Sequence, residues 1–122
     1  MGCVYTAQGA PSGTVAKGQV LEITWTPEMK ETVGPIFPGG TFGVRVYGPY
    51  PSVNEAKVGY AHGVRPGPVA ASSVVIGQDV CAAQPASIRL PPDMAAGWYN
   101  LETSERYGNF GSSGAGLIQV LP

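Results

Sequence analysis

Short stretches of alternating hydrophobic and polar residues are the clearest pattern in this chain. In residues 20–26, Leu21, Ile23 and Trp25 occupy every second position, which predicts a half-buried β-strand with Trp25 in the core. Similar short hydrophobic stretches predict strands at residues 41–47, 72–76, 86–90, 98–104 and 117–121, with residues 58–60 as a candidate edge strand. About seven short strands separated by turn residues predict an all-β fold, an antiparallel immunoglobulin-like or fibronectin-like β-sandwich.

Glycine and proline separate these strands. The chain of 122 residues contains 18 Gly and 12 Pro, which excludes long helices and coiled coils. The two residue types concentrate in residues 27–40, 48–72 and 106–114, which we predict to be loops. A chain of this length has enough residues for one core, so we expect a single domain over residues 1–122.

Charge narrows the range of partners. Charged residues make up 12% of the chain and the formal net charge is −1, so the sequence has no basic excess with which to neutralise phosphates. We therefore expect no nucleic-acid partner. No apolar stretch approaches the roughly 20 residues of a membrane helix, so we predict no membrane span.

Two cysteines, Cys3 and Cys81, stand far apart and form no Cys-x-x-Cys motif. A disulfide between them, in a chain rich in Gly, Ser, Thr and Tyr, indicates a secreted or cell-surface protein. Two other interpretations stay open: a pair of free buried thiols, and a lipid-anchoring role for Cys3 alone.

Three segments carry a resemblance to a known family. They read GQVLEITWTP, GTFGVRVYG, and IRLPPDMAAGWYNLETS followed by SSGAGLIQV. Their order resembles the immunoglobulin-like domain of the fungal KNH-like family, which is associated with cell-wall β-1,6-glucan synthesis. The positions that match the family pattern are Gly18, Ile23-Thr24-Trp25, Pro92, Gly97-Trp98-Tyr99, Leu101 and Ser113-Gly114. The resemblance implies an extracellular module without catalytic residues.

Catalytic and metal-binding patterns give no positive prediction. His62 is the only histidine, and no Gly-x-Ser-x-Gly motif accompanies it. Glu102 with Glu105, or Asp79 with Asp93, are the carboxylate pairs that glycoside hydrolysis would need. His62 with Met29 and Met94 would suit a copper ion by ligand softness. We predict no catalytic residues, no metal and no cofactor.

Aromatic residues offer the sharper hypothesis, because carbohydrate-binding modules use flat rings against sugar C–H groups. The ligand-binding candidates are Tyr50, Tyr60, Arg65, Tyr107 and Phe110, with Tyr47, Trp98, Arg45 and Asn109 nearby in sequence. We expect a non-catalytic extracellular or cell-surface module, structural or adhesive in a cell wall or surface assembly. The alternative is a carbohydrate-binding, lectin-like module that uses these aromatics. The expected partners are a polysaccharide or a wall or surface protein.

Overall fold

Strands account for most of the chain. The computed structural model describes residues 2–30 and 37–122. Its elements are β1 (Gly2–Gln8), β2 (Gly13–Val15), β3 (Val20–Lys30), β4 (Gly40–Tyr50), α1 (Val53–His62), β5 (Pro68–Ile76), β6 (Gln84–Arg89), β7 (Gly97–Tyr107) and β8 (Phe110–Val120).

These strands form two sheets. One has three strands in the order β1-β3-β6, and the other has five in the order β2-β8-β7-β4-β5. Neighbouring strands are antiparallel, except that β2 runs parallel to β8. The predicted all-β, immunoglobulin-like sandwich is confirmed, with eight strands in the described residues instead of about seven.

The core lies between the two sheets and follows from the alternation in β3 and β4. Ile23 and Trp25 of β3 and Phe42 and Val44 of β4 are completely buried. The rings of Trp25 and Phe42 lie 5.7 Å apart, centroid to centroid. Each strand of the sandwich buries one face, so residues two apart share the core. The prediction that Trp25 belongs to the core is confirmed.

The segment 48–72 is not the predicted loop, because it contains helix α1 and the beginning of β5. The candidate edge strand at residues 58–60 is wrong, since these residues lie within the helix. The Ser52 side chain accepts a hydrogen bond from the Glu55 backbone N–H at 3.1 Å, and Gly63 ends the helix with φ 68°. Both features are standard helix boundaries: a serine N-cap and a left-handed glycine.

The segment 106–114 is also not a loop. β7 continues to Tyr107 and β8 begins at Phe110, so the connection is a tight hairpin in which Gly108 has φ 57°. The Gly-Ser residues of this segment pair along β7 in an unbroken antiparallel register. Cross-strand pairing therefore overrides their low strand propensity.

Further differences concern the beginning of the chain and residues 27–40. β3 extends to Lys30 and β4 begins at Gly40, so both ends of the loop predicted at residues 27–40 belong to strands. Residues 31–36 of that predicted loop lie outside the described residues. Strands β1 and β2 were not predicted, and β1 is an edge strand of the smaller sheet.

The disulfide between Cys3 and Cys81 is confirmed, with Cα atoms 6.2 Å apart. It joins β1 to the connection between β5 and β6. Tyr5 holds the same connection, because its hydroxyl donates to the Val80 carbonyl at 2.9 Å and accepts from the Ala82 backbone N–H at 3.2 Å. β1 is thus fastened to this connection at two points.

Candidate binding face

The outer face of the five-stranded sheet is built from cross-strand rows of small and charged residues. In one row, Gly43 of β4 lies between Ser73 of β5 and Ser104 of β7, and Ser104 pairs with Ser113 of β8. Strand pleating brings every second residue to this face. A flat, hydroxyl-rich surface follows from the small side chains of this row.

The neighbouring rows carry the charges. Arg45 of β4 pairs across the sheet with Glu102 of β7, and Thr41 pairs with Arg106. Arg45 and Arg106 are both exposed to solvent. They line a shallow groove of about 590 Å³ together with Thr41 and serine residues. The groove is polar, and its size suits part of a small ligand.

Helix α1 covers one end of this sheet. The Asn100 side chain of β7 is buried there, and its Nδ2 donates to the Ala56 carbonyl of the helix at 2.8 Å. Gly59 allows a close approach to the Tyr50 ring, since a Cβ at Gly59 would lie 2.8 Å from Tyr50 Cε1. The helix is therefore docked by one buried hydrogen bond and one close ring contact.

Arg65, which follows the helix, lies over the sheet. Its Nε donates to Glu102 Oε2 at 2.9 Å and to Oε1 at 3.1 Å. Its guanidinium lies 5.5 Å from the centre of the Tyr47 ring and 5.7 Å from that of Tyr60. The hydrogen bond to Glu102 is the main reason why the pKa of Arg65 is raised. Arg65 thus joins the helix end to β7 by an ion pair and to β4 by a cation–π contact with Tyr47.

The four predicted binding aromatics do not form one platform. Tyr50 and Tyr107 are each only 8% exposed, so the expectation that their rings are free is wrong. Tyr107 faces the core at the end of β7. Tyr50 pairs with Trp98 beyond an irregularity in β4 and is covered by helix α1, and burial raises the pKa of Tyr50. The rings that stay accessible are those of Tyr60, which is half-buried, and Phe110, which is 47% exposed.

These two accessible rings lie on different sides of the five-stranded sheet. The Tyr60 hydroxyl is 3.4 Å from Ser113 Oγ on the outer face. Phe110 pairs with Tyr107 on the core side, with the two rings 4.8 Å apart. A flat sugar ring could not stack on both at once. The ligand-binding roles predicted for Tyr60, Arg65 and Phe110 stay predictions.

The two glutamates considered as an acid–base pair, Glu102 and Glu105, also lie on opposite sides of the five-stranded sheet. Glu102 faces outward to Arg65, whereas Glu105 faces inward and accepts a hydrogen bond from Trp25 Nε1 at 3.1 Å. Burial raises the pKa of Glu105, and the indole N–H partly opposes that rise. His62 is exposed in the last turn of α1. The two glutamates therefore do not form a facing pair.

The methionines considered as copper ligands lie elsewhere. Met94 is buried in the core, and Met29 Sδ lies 3.4 Å from Cys3 Sγ. Within residues 2–30 and 37–122, no three His, Cys, Asp or Glu side chains form a group that could hold a metal ion. In the same residues no helix is long and apolar enough to cross a membrane.

Sequence reasoning missed the importance of the outer face. It treated Arg45 only as a polar companion of the aromatics and did not single out Arg106. The available signal was the alternation in β4, which puts Thr41, Gly43 and Arg45 opposite the buried Phe42 and Val44.

Comparisons with known proteins add no relative: no protein-family model matches the chain, and no curated protein matches it. The resemblance to the KNH-like family stays a prediction.

Proposed function

We propose that the chain is a non-catalytic extracellular or cell-surface module with a structural or adhesive role in a cell wall or surface assembly. In this proposal, copies of the module associate through the outer edge of β5. The observation that carries the proposal is the composition and position of that strand. A resemblance to extracellular KNH-like domains is consistent with the same role.

Strand β5 is an edge strand. It pairs with β4 on one side, and no described strand pairs with its other side. The unpaired N–H and C=O groups of such an edge can pair with a further strand. Natural proteins protect edges with charges, prolines or bulges. The nine residues Pro68–Ile76 contain no charged residue, the single proline is the first, and the irregularity in the pairing with β4 is confined to the beginning of the strand.

Antiparallel pairing of β5 with a second β5 fits the pattern of its side chains. A two-fold axis at Ser72 would place Ala71 opposite Ser73 of the second copy, and both residues are exposed. Residues 70–76 alternate between the core side and the outer face, so both sheet faces would continue across the contact over this part of the strand. Val75 is 77% exposed in the isolated chain, and the second copy would partly cover it.

The disulfide supports the extracellular part of the proposal. Disulfides persist in oxidising compartments and are rare in the cytosol. The bond between Cys3 and Cys81 joins β1 to the connection before β6, as expected for a structural cross-link.

The non-catalytic part rests on the positions of the acidic groups. Glu102 is held by Arg65, and Glu105 lies on the opposite face of β7 beside Trp25. Acid–base catalysis needs groups that converge on one reacting atom.

Sedimentation of the wild type and of Val75→Lys tests the proposal. We expect the wild type to associate increasingly as its concentration is raised to about 1 mM, because weak complexes have dissociation constants in this range. Val75→Lys should sediment as a monomer, because it would bring two lysines to the new contact. Val20→Lys is the matched control, since Val20 is also exposed but lies in β3 of the other sheet.

Two results would contradict the proposal. A wild-type protein that is monomeric over the whole range would exclude association through any edge. Equal effects of Val75→Lys and Val20→Lys would show that added charge, and not the β5 edge, controls association.

A further inference from the structure

We propose that the groove on the outer face of the five-stranded sheet binds a polyhydroxylated ligand carrying a carboxylate or sulfate group, with Arg45 and Arg106 as its charged contacts. An acidic polysaccharide has this chemistry. One end of the site adjoins the β5 edge, but its two arginines lie on β4 and β7, so binding does not depend on self-association of the module.

The groove is continuous with a second depression. The larger one, of about 590 Å³, lies over β4, β7 and β8, and the smaller one, of about 300 Å³, lies over β5, β4 and β7. Thr41, Arg45 and Ser104 line both. Together they form a shallow surface across four strands. An extended chain molecule fits such a surface better than a compact ligand that requires an enclosed cavity.

Arg45 and Arg106 stand on either side of the Gly43–Ser104 pair. Arg106 pairs across the sheet with Thr41, which precedes Arg45 by four residues on β4. Their backbones are therefore separated by about 13 Å along the strands. Both side chains line the same groove. A group bound above Gly43 would receive a guanidinium from each side, and guanidinium N–H groups match the geometry of carboxylate and sulfate oxygens.

The floor between the two arginines presents hydroxyls. Gly43 has no side chain, and a Cβ at that position would lie only 3.3 Å from Ser104 Oγ. Glycine therefore leaves the Ser104 hydroxyl open from the side of β4. Ser73 and Ser113 continue the same cross-strand row, and serine hydroxyls both donate and accept hydrogen bonds. Such a row suits the hydroxyls of a sugar chain.

Arg65 keeps Arg45 available. The cross-strand neighbour of Arg45 is Glu102, whose carboxylate is taken by Arg65. In residues 2–30 and 37–122, neither Arg45 nor Arg106 forms an ion pair. The part of the outer face that helix α1 does not cover therefore carries two positive charges without a paired carboxylate, although the whole chain has a net charge of −1. A local positive field of this kind attracts anionic ligands.

Calorimetric titration with polysaccharides of defined charge tests the inference. The probes are polygalacturonate for carboxylate, heparin for sulfate and dextran as the neutral control. We expect binding of at least one acidic polymer and none of dextran, and the stronger acidic polymer identifies the preferred group. Binding should weaken as salt is added, because exposed charges are screened.

Single substitutions test the residues. Arg45→Gln and Arg106→Gln should each weaken binding about tenfold, the effect of losing one charge-assisted hydrogen bond. Arg89→Gln is the matched control, because Arg89 is exposed on β6 in the other sheet. Gly43→Val should weaken binding without any change of charge, because it fills the floor of the groove.

Arg65→Gln distinguishes a specific effect on Arg45 from a general effect of the protein's net charge. It removes a charge outside the groove and releases Glu102 to pair with Arg45, so binding should weaken more than in Arg89→Gln. The inference is overturned if no acidic polymer binds, if dextran binds equally well, or if Arg89→Gln weakens binding as much as Arg45→Gln. Val75→Lys adds a positive charge beside Thr41, so it should bind the acidic polymer at least as tightly as the wild type even when it no longer self-associates.

Discussion

Removing the cross-link between Cys3 and Cys81 should cause a large loss of stability. The two residues are separated by 78 positions, so the bond closes a loop of 79 residues. In the chain-entropy account, restoring the freedom of a loop of this length costs about 4.5 kcal/mol of folding free energy at 25 °C. That is a large part of the roughly 5–15 kcal/mol that stabilises an ordinary domain.

Urea denaturation of the oxidised and the reduced protein measures this loss. Reduction keeps both side chains, so it isolates the cross-link from packing effects. With typical urea dependences for small proteins, the midpoint should fall by between about 1.5 and 4.5 M. The double variant Cys3→Ala with Cys81→Ala should behave like the reduced protein or be slightly less stable, because Cys3 is buried and its sulfur fills core volume.

The slope of the transition gives an independent check. The unfolded chain exposes more surface once the loop is open, so the denaturant dependence should become steeper on reduction. A fall of the midpoint by less than about 0.5 M would refute the entropic reasoning. The unfolded reduced chain would then have to stay as restricted as the cross-linked one.

Three further substitutions test separate contacts by the same unfolding measurement. Burial raises the pKa of the Glu105 carboxyl above its usual value of 4.5, so the folded protein holds the carboxyl proton more tightly than the unfolded chain does. The folded protein should therefore lose stability as pH rises from 4.5 through the raised pKa. Glu105→Gln should remove this pH dependence and stabilise the protein at pH 7, because the glutamine amide oxygen can still accept the hydrogen bond from Trp25. If the stability of the variant and of the wild type changed with pH in parallel, Glu105 would not be the group responsible. Tyr5→Phe should cost about 1 kcal/mol and speed hydrogen exchange of the Ala82 amide, whose acceptor it removes. Ser52→Ala should cost about 1 kcal/mol through loss of the helix cap, and an unchanged midpoint would mean that helix docking alone fixes this segment.

The sequence predicted the parts of the fold in which alternation and burial agree. Residues 20–26 and 41–47 alternate strictly, and the structure finds them within β3 and β4. The Gly-Ser half of β8 was missed because its strand conformation depends on pairing with β7, a contact that composition does not show. β1 was missed for a related reason, since it is an edge strand whose pairing with β3 sets its conformation.

Helix α1 is a different case, because its signal was present. Ser52 is followed three residues later by Glu55, a sequence typical of a helix start, and Gly63 stands at the far end, yet the surrounding prolines directed the prediction to a loop. The proximity of Gly59 and Tyr50 could not be read from the sequence. It depends on where the helix docks on the sheet.

The candidate site was predicted in part. Tyr107 shares its parity with the buried Tyr99 and Leu101, so its burial could have been inferred by extending β7. The burial of Tyr50 depends on an irregularity in β4 and on the docking of helix α1. The pairing of Arg65 with Glu102 spans 37 positions and depends on the path of the chain after α1. Contacts of this kind follow from tertiary structure and not from local pattern.

The position of the disulfide also decides how the module would respond to mechanical force. If the two chain ends were pulled apart, tension entering at Cys3 would pass directly through the sulfur atoms to Cys81. The residues between them could not be drawn out. Only the 41 residues after Cys81 could lengthen, by about 140 Å, against about 400 Å for the fully extended reduced chain. In an adhesive assembly under load, the cross-link would therefore act as a built-in limit on extension, and β1 to β5 would be shielded from the pull.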